Sequence, residues 1–238
     1  MSWDKKQYCQ DLVKFAEVIS RYDSTECIGN GLGILYTIAY QFEHSGSTQL
    51  EIKDVVLTMR KKISGTTPSD VQSLDIYIDC SCDVDLSLNA NEYDIIKEYS
   101  LQLVIVGYVG NEEYLNCWHL DKDIPPKKGD LHNHTHPSYH FQAGGHRVEG
   151  VNTGKLLLLG PPRLPHPPMD IFLAIHFVIS NFFGKRDFPF VEYLFEDSDY
   201  QDILIRAKNR MFVPYFQAFT TGCTHRDFNV QKIFPLAV

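Results

Sequence analysis

The run Leu131-His132-Asn133-His134-Thr135-His136-Pro137-Ser138-Tyr139-His140-Phe141-Gln142 gathers four of the chain's ten histidines, and eight of the ten lie between His119 and His176. Imidazole is the side chain that can serve as acid, base or neutral ligand near pH 7 without a perturbed pKa. In extended backbone, side chains alternate across a sheet. His132, His134, His136, His140 and Gln142 would then share one face, with Tyr139 and Phe141 on the other. Same-face neighbours sit roughly 6.6 Å apart, close enough for imidazoles to share a metal ion or a phosphate, although Pro137 interrupts the ladder.

Three readings follow from these residue types. In the first, His136 and His140 act as base and acid while Arg163 supplies a fixed cation for a pentacovalent phosphate, which suffices for metal-independent RNA cleavage. In the second, His132 and His134 with a carboxylate such as Asp121 or Asp130 hold Zn²⁺ or Mn²⁺ for hydrolysis. In the third, the segment is structural. His136-Pro137 then shapes a bend, His140 bonds a neighbouring backbone carbonyl, and Gly144-Gly145 makes the turn.

The elements that must position these residues are read from periodicity. Tyr8, Leu12, Phe15, Ala16, Ile19 and Tyr22 follow helical spacing, with Ser2 available as a cap. Gly29, Gly31 and Gly33 lack the spacing and the Lys-Ser/Thr of a phosphate loop and read as a turn. The alternation of Ile34, Tyr36, Ile38, Tyr40 and Phe42 favours a strand, with a helix left open. Thr48 and Glu51 have capping-box spacing ahead of Ile52, Val55, Val56, Met59 and Ile63, which recur at helical intervals and predict a helix. Arg60, Lys61 and Lys62 would be its solvated end.

Leu74 through Leu88 alternates strictly, apolar at even positions, with four aspartates at odd ones. A strand with one buried and one wet face is predicted. Ser100–Val109 and Glu112–Leu120 read as a hairpin across Gly110-Asn111. The histidine strand follows, ending at Ala143-Gly144-Gly145, and Lys155–Leu159 reads as a closing strand. The proline-rich 161–168 leads into a buried helix over Ile171–Phe183, where Asp170 favours the N-terminus and His176 is a hydrogen-bonded core residue. One or two helices, punctuated by Ser198 and Pro214, occupy 189–222, and the tail from Phe228 alternates like a strand. Together these predict a single α+β domain: a mostly antiparallel sheet of about five strands, with helices at both ends packed on one face. Its parts are a helical or mixed 1–70, a sheet 71–160 and a helical 161–238.

Composition narrows the function classes. The net charge of −8 over 238 residues argues against broad, sequence-independent binding to a nucleic-acid backbone. The start Met-Ser-Trp-Asp-Lys-Lys has no basic-then-apolar pattern, and the most apolar window is too short to span a bilayer, so a cytoplasmic protein without a membrane partner is expected. Six scattered cysteines without a CxxC pair are expected to be reduced, with Cys80 and Cys82 in the core. Aromatic residues from Phe182 to Phe234 suit an interface with a protein partner or a second copy as well as a core.

Known catalytic signatures do not fit. His132-x-His134-x-His136 lacks the apolar residues that histidine-triad hydrolases place between and after their histidines. The aspartate of a metallo-β-lactamase motif and the glutamate of a cupin are absent, as are HExxH and GxSxG. The stretch His136-Pro-Ser-Tyr-His140-Phe-Gln-Ala-Gly144-Gly145, then Pro161-Pro-Arg163-Leu-Pro165-His-Pro-Pro168 and Asn181-Phe-Phe-Gly184, resembles a bacterial family of unknown function. That family is associated with phage-defence and mobile-element gene clusters. The resemblance covers about fifty residues. It implies a defence or toxin-type setting and singles out His136, His140, Gly144, Arg163 and Pro165. The expectation is a phosphodiesterase or nuclease acting on RNA or a nucleotide. Its alternative is a non-catalytic subunit of a defence or toxin–antitoxin complex.

Overall fold

The strict alternation of Ser73–Val84 sets the plan of the molecule. The computed structural model describes residues 3–23, 28–61, 66, 68–123, 136–144, 148–151 and 163–235. Along the chain come α1 (Lys5–Tyr22), a one-turn 3-10 helix (Gly29–Leu32), α2 (Ile34–His44), β1 (Gln49–Met59), β2 (Ser73–Val84), β3 (Ile96–Val109) and β4 (Glu112–Lys122). Then follow β5 (Tyr139–Ala143), β6 (Leu164–Pro165), α3 (Ile171–Phe182), α4 (Phe190–Glu196), α5 (Ser198–Gln217) and α6 (Val230–Ile233). The strands form one six-stranded antiparallel sheet in chain order. The fold is the expected single α+β domain; among the described residues, β1 and β6 are sheet strands that the periodicity does not indicate.

Every even position of β2 is buried and every odd one half-exposed. Leu50, Ile52, Val55, Leu57 and Met59 of β1 and Leu101, Leu103 and Ile105 of β3 pair onto the same apolar face. Helices from both ends of the chain build the core with this face. Phe172 of α3 meets Tyr8 and Phe15 of α1 with ring centroids 5.1 and 5.2 Å apart. The Tyr99 hydroxyl donates to the Met169 carbonyl at 2.8 Å, just ahead of α3. A buried ion network ties the helices together: Arg206 donates twice to Asp11 at 3.0 and 2.7 Å, and Arg210 donates to Asp170 at 3.0 Å. Asp170 is also the N-cap of α3, accepting from the Leu173 amide at 3.1 Å. Each carboxylate would be costly in the core without these partners.

Several local expectations are corrected. Residues 34–44 are a helix, because Leu35, Ile38, Ala39 and Phe42 are the buried set while Tyr36 and Tyr40 face out. Residues 49–59 are a strand. A bulge between Ile52 and Val55 shifts the alternation, so Ile52, Val55 and Met59 mimic helical spacing. Thr48 caps no helix; its hydroxyl donates to Asp83 at 2.9 Å. Asp54 in the bulge has φ +60°, a left-handed backbone that aspartate tolerates better than most residues. Arg60 and Lys61 therefore follow a strand, and Lys61 donates to the Asp187 carbonyl at 2.7 Å. Asp4 rather than Ser2 caps α1, accepting from the Gln7 amide at 3.0 Å. β2 stops at Val84, leaving Leu86 and Leu88 exposed in a turn. The tail forms the short α6 instead of a strand. The expected strand Lys155–Leu159 lies outside the described residues.

Gly31 has a packing role. A Cβ there would lie 1.7 Å from the Val56 carbonyl oxygen, so the glycine lets the 3-10 helix close onto β1. Cys9, Cys80, Cys82, Cys117 and Cys223 are free thiols, the first four buried; Cys27 is outside the described residues. Among those residues no helix is long and apolar enough to cross a membrane.

His176 sits within α3 with its Nδ1 3.0 Å from the Tyr200 hydroxyl and its ring against Phe195. Burial, with a smaller contribution from the Lys208 charge, pushes its pKa down to about 4. The folded value lies below the unfolded one of about 6.5. Its contribution to stability is therefore complete above about pH 6.5 and is lost as the pH falls toward 4. Thermal melts at pH 7 and 4.5 should show a larger drop for the native chain than for His176→Gln, by roughly 1–2 kcal/mol after solvent screening. Parallel drops would contradict this assignment.

Candidate functional site

Tyr139 and Phe141 decide where His140 points. Tyr139 is fully buried, and its hydroxyl donates to Asp94 Oδ2 at 2.8 Å. Lys122 Nζ lies 2.8 Å from the same oxygen and also donates to the Ile96 carbonyl. Phe141 stacks on Trp118 at 5.2 Å. With both rings on the apolar face, His140 and Gln142 must occupy the opposite, polar face. The register pairs Lys122 with Tyr139, Asp121 with His140 and His119 with Gln142.

His140 is 7% exposed and lies edge-on to His136, ring centroids 5.8 Å apart. His136, ahead of Pro137, places its Nδ1 3.3 Å from Asp123 Oδ1. Asp121, across the ladder from His140, accepts from the Ser100 hydroxyl at 2.8 Å and faces His119 Nε2 at 3.6 Å. Arg163 immediately precedes β6, whose Pro165 pairs with His140. The His140 pKa is lowered, first by burial; Asp121 pulls it back up, while Arg163, His136 and His119 add to the lowering. At neutral pH its imidazole is therefore uncharged. His140 Nδ1 and Arg163 Nε are both enclosed without a hydrogen-bond partner among the described residues.

The structure brings His136, His140, Arg163 and Asp121 into one neighbourhood. His132, His134 and Asp130 lie outside the described residues, so the proposed Zn²⁺ or Mn²⁺ set is represented there by Asp121 alone. Among the described residues no group of three His, Cys, Asp or Glu side chains is placed to hold a metal. Sequence reasoning missed His119 and Asp123. Their signal is the phase of β4 and its extension: His119, Asp121 and Asp123 alternate onto the face that the Gly110-Asn111 hairpin leaves polar.

Register extends this polarity across the sheet. One row runs Ser81, Ser100, Asp121, His140 from β2 to β5. The adjoining row runs Asp79, Gln102, His119, Gln142. The next row toward the hairpin is Tyr77, Val104, Cys117. A polar lane therefore crosses four strands and ends at the histidines, bounded on the hairpin side by this row and continued on its other side by Asp83 and Glu98 of β2 and β3. The aspartates of β2 are held by neighbours: Asp75 by the Thr58 and Tyr108 hydroxyls, Asp79 by the Asp54 amide, Asp83 by the Thr48 hydroxyl. These bonds offset the repulsion that three like charges on one strand face would otherwise bring.

No family model, curated protein or solved structure matches this chain.

If the enclosed Nδ1 of His140 has no structural bond to lose, His140→Leu should leave the melting temperature unchanged or raise it, since an unpaired buried polar atom is removed. A drop equivalent to about 1–3 kcal/mol would instead identify a buried structural hydrogen bond. Urea or thermal unfolding of the one variant separates the two.

Proposed function

We propose that the His136–His140–Arg163 cluster cleaves phosphodiester bonds in RNA or a nucleotide. The observation that carries this reading is an enclosed imidazole, its pKa lowered first by burial, edge-on to a second imidazole, with the Arg163 charge acting on the first. Each histidine has a carboxylate neighbour of its own: Asp123 beside His136, and Asp121 across from His140. A phosphate seated between the imidazoles and Arg163 would meet a base, an acid and a fixed cation.

The chemistry closes on these residues. His140 takes the proton from a ribose 2′-hydroxyl, and O2′ bonds to phosphorus. The P–O5′ bond breaks as His136, oriented by Asp123, donates a proton to the leaving O5′. Arg163 neutralises the charge that grows on the non-bridging oxygens. Since His140 Nδ1 is enclosed, Nε2 is the nitrogen left to meet substrate. A metal-assisted version would draw on Asp121 with His132, His134 and Asp130 and a Zn²⁺ or Mn²⁺ ion. The defence or toxin-type setting rests on the His136–Gly184 resemblance alone.

A second reading is a non-catalytic assembly subunit, bacterial and cytoplasmic like the first. Phe216 and Phe219 at the end of α5, with Val213 and Ile205 along it, are exposed apolar side chains that favour it.

Purified protein incubated with a short ribo-oligonucleotide, with and without chelator, tests the proposal. Activity should rise with pH along a limb below 6.5, because the base must be deprotonated and its pKa is lowered. His140→Ala and His136→Ala should each lower kcat by roughly 10²–10⁴-fold with the fold retained. Cleavage that persists in both variants would refute the assignment.

A further inference from the structure

We infer that the polar lane over β2–β5 binds the ester group of a short phosphodiester with a single anionic centre, a nucleoside being the chemistry it matches. This deepens the catalytic reading above and rests on it for the position of the phosphate.

The lane presents half-buried donors and acceptors that a ligand can reach. Among the described residues the side chains of Ser81, Gln102 and Gln142 make no hydrogen bond. A carboxamide offers a donor pair and an acceptor on one plane, the pattern that engages nucleobase edges. Asp79 and Asp121 add acceptors suited to sugar hydroxyls or exocyclic amines. From β2 to β5 the lane spans three strand spacings, about 14 Å, a length suited to one nucleoside beyond the phosphate. Its far end opens into a groove of about 230 Å³ lined by Glu51, Lys53, Asp79, Ser81, Ser100 and Gln102. That is smaller than the roughly 300–1,000 Å³ of pockets enclosing whole ligands, as expected for a site taking one end of a molecule. The β1 bulge, with its left-handed Asp54, borders this groove and holds Asp79 through the Asp54 amide.

Charge sets the size of the ligand. Arg163 stands at the β5–β6 end, where the phosphate is to sit. The β2 end carries Asp79 and Asp83, with Glu98 of β3 across from Asp83 in the row beside the lane, while Lys53 is engaged with Glu51 at 2.5 Å. A second phosphate along the lane would face carboxylates without a free cation among these lining residues. A polymer laid in this direction is therefore repelled, and a molecule with one phosphodiester is not.

Binding of a 2′-deoxy dinucleoside monophosphate, which lacks the attacking hydroxyl, is to be measured by calorimetry against a deoxy-octanucleotide at low salt. The dinucleotide should bind about tenfold more tightly than the octamer. Gln102→Ala should weaken its binding about fivefold or more with an unchanged melting temperature, since a surface carboxamide contributes little to the core. Asp79→Asn should strengthen octamer binding. Absent dinucleotide binding, equal or tighter octamer binding, or no effect of Gln102→Ala would overturn the inference. The two proposals fail separately. Gln102-dependent binding without cleavage of the ribo-dinucleotide removes the catalytic reading and keeps the lane. Cleavage of a ribo-octamer as fast as the dinucleotide removes the lane and keeps the catalysis.

Discussion

The burial of Tyr139 against Asp94 and Lys122 is the interaction on which the candidate site depends. Strand side chains have a period of two, so a one-residue slip of β5 against β4 would turn His140 into the core and Tyr139 into the polar lane. The Tyr139 hydroxyl reaches Asp94 at 2.8 Å only in the observed register. Lys122, its cross-strand partner, closes the same carboxylate and the Ile96 carbonyl. β5 is only five residues long, too short for backbone bonds alone to specify register strongly. The ring of Phe141 on Trp118 supplies a second apolar anchor. Two aromatic side chains on one face thus hold two polar ones on the other.

From that register the electrostatics follow. His140 stands across from Asp121, which is itself held by Ser100 and faces His119. Arg163 arrives through β6, whose pairing to β5 puts Pro165 beside His140. Burial then outweighs the attraction of Asp121 and keeps His140 neutral. In the proposed reading, an imidazole base, a second imidazole with its own carboxylate and a cation would suffice for acid–base chemistry on a phosphate. Enclosed polar atoms such as His140 Nδ1 and Arg163 Nε cost stability in the folded chain, a pattern that recurs where sites are poised for ligands.

Much of this was legible in the residues themselves. The alternation of β2 is unbroken, so its buried face, the hairpin to β4 and the packing of the Ile171–Phe182 helix follow from periodicity. His136, His140 and Arg163 stood out as chemistry-bearing residues in extended settings. Two elements misread in the N-terminal part share one cause, which is that short segments satisfy both periods. Residues 34–44 alternate apolar side chains and also repeat them at helical spacing, and burial against α1 selects the helix. In β1 the bulge at Asp54 breaks the alternation and leaves a false helical beat. Backbone irregularities of this kind are set by tertiary contacts, here the Asp54 amide on Asp79 and Gly31 under Val56, and leave no local pattern. Asp123 escaped notice because its role depends on His136 returning across the sheet, a long-range pairing that spacing does not encode.

His136 and His140 are proposed to form one anion-binding acid–base pair. An NMR titration of the imidazole resonances, with and without inorganic phosphate, tests it most directly. His140 should titrate below the ordinary 6.5, and phosphate should perturb the His136 and His140 signals together and move the His140 midpoint upward. His140 titrating at or above the ordinary value, or phosphate leaving both rings unmoved while the fold is intact, would contradict it.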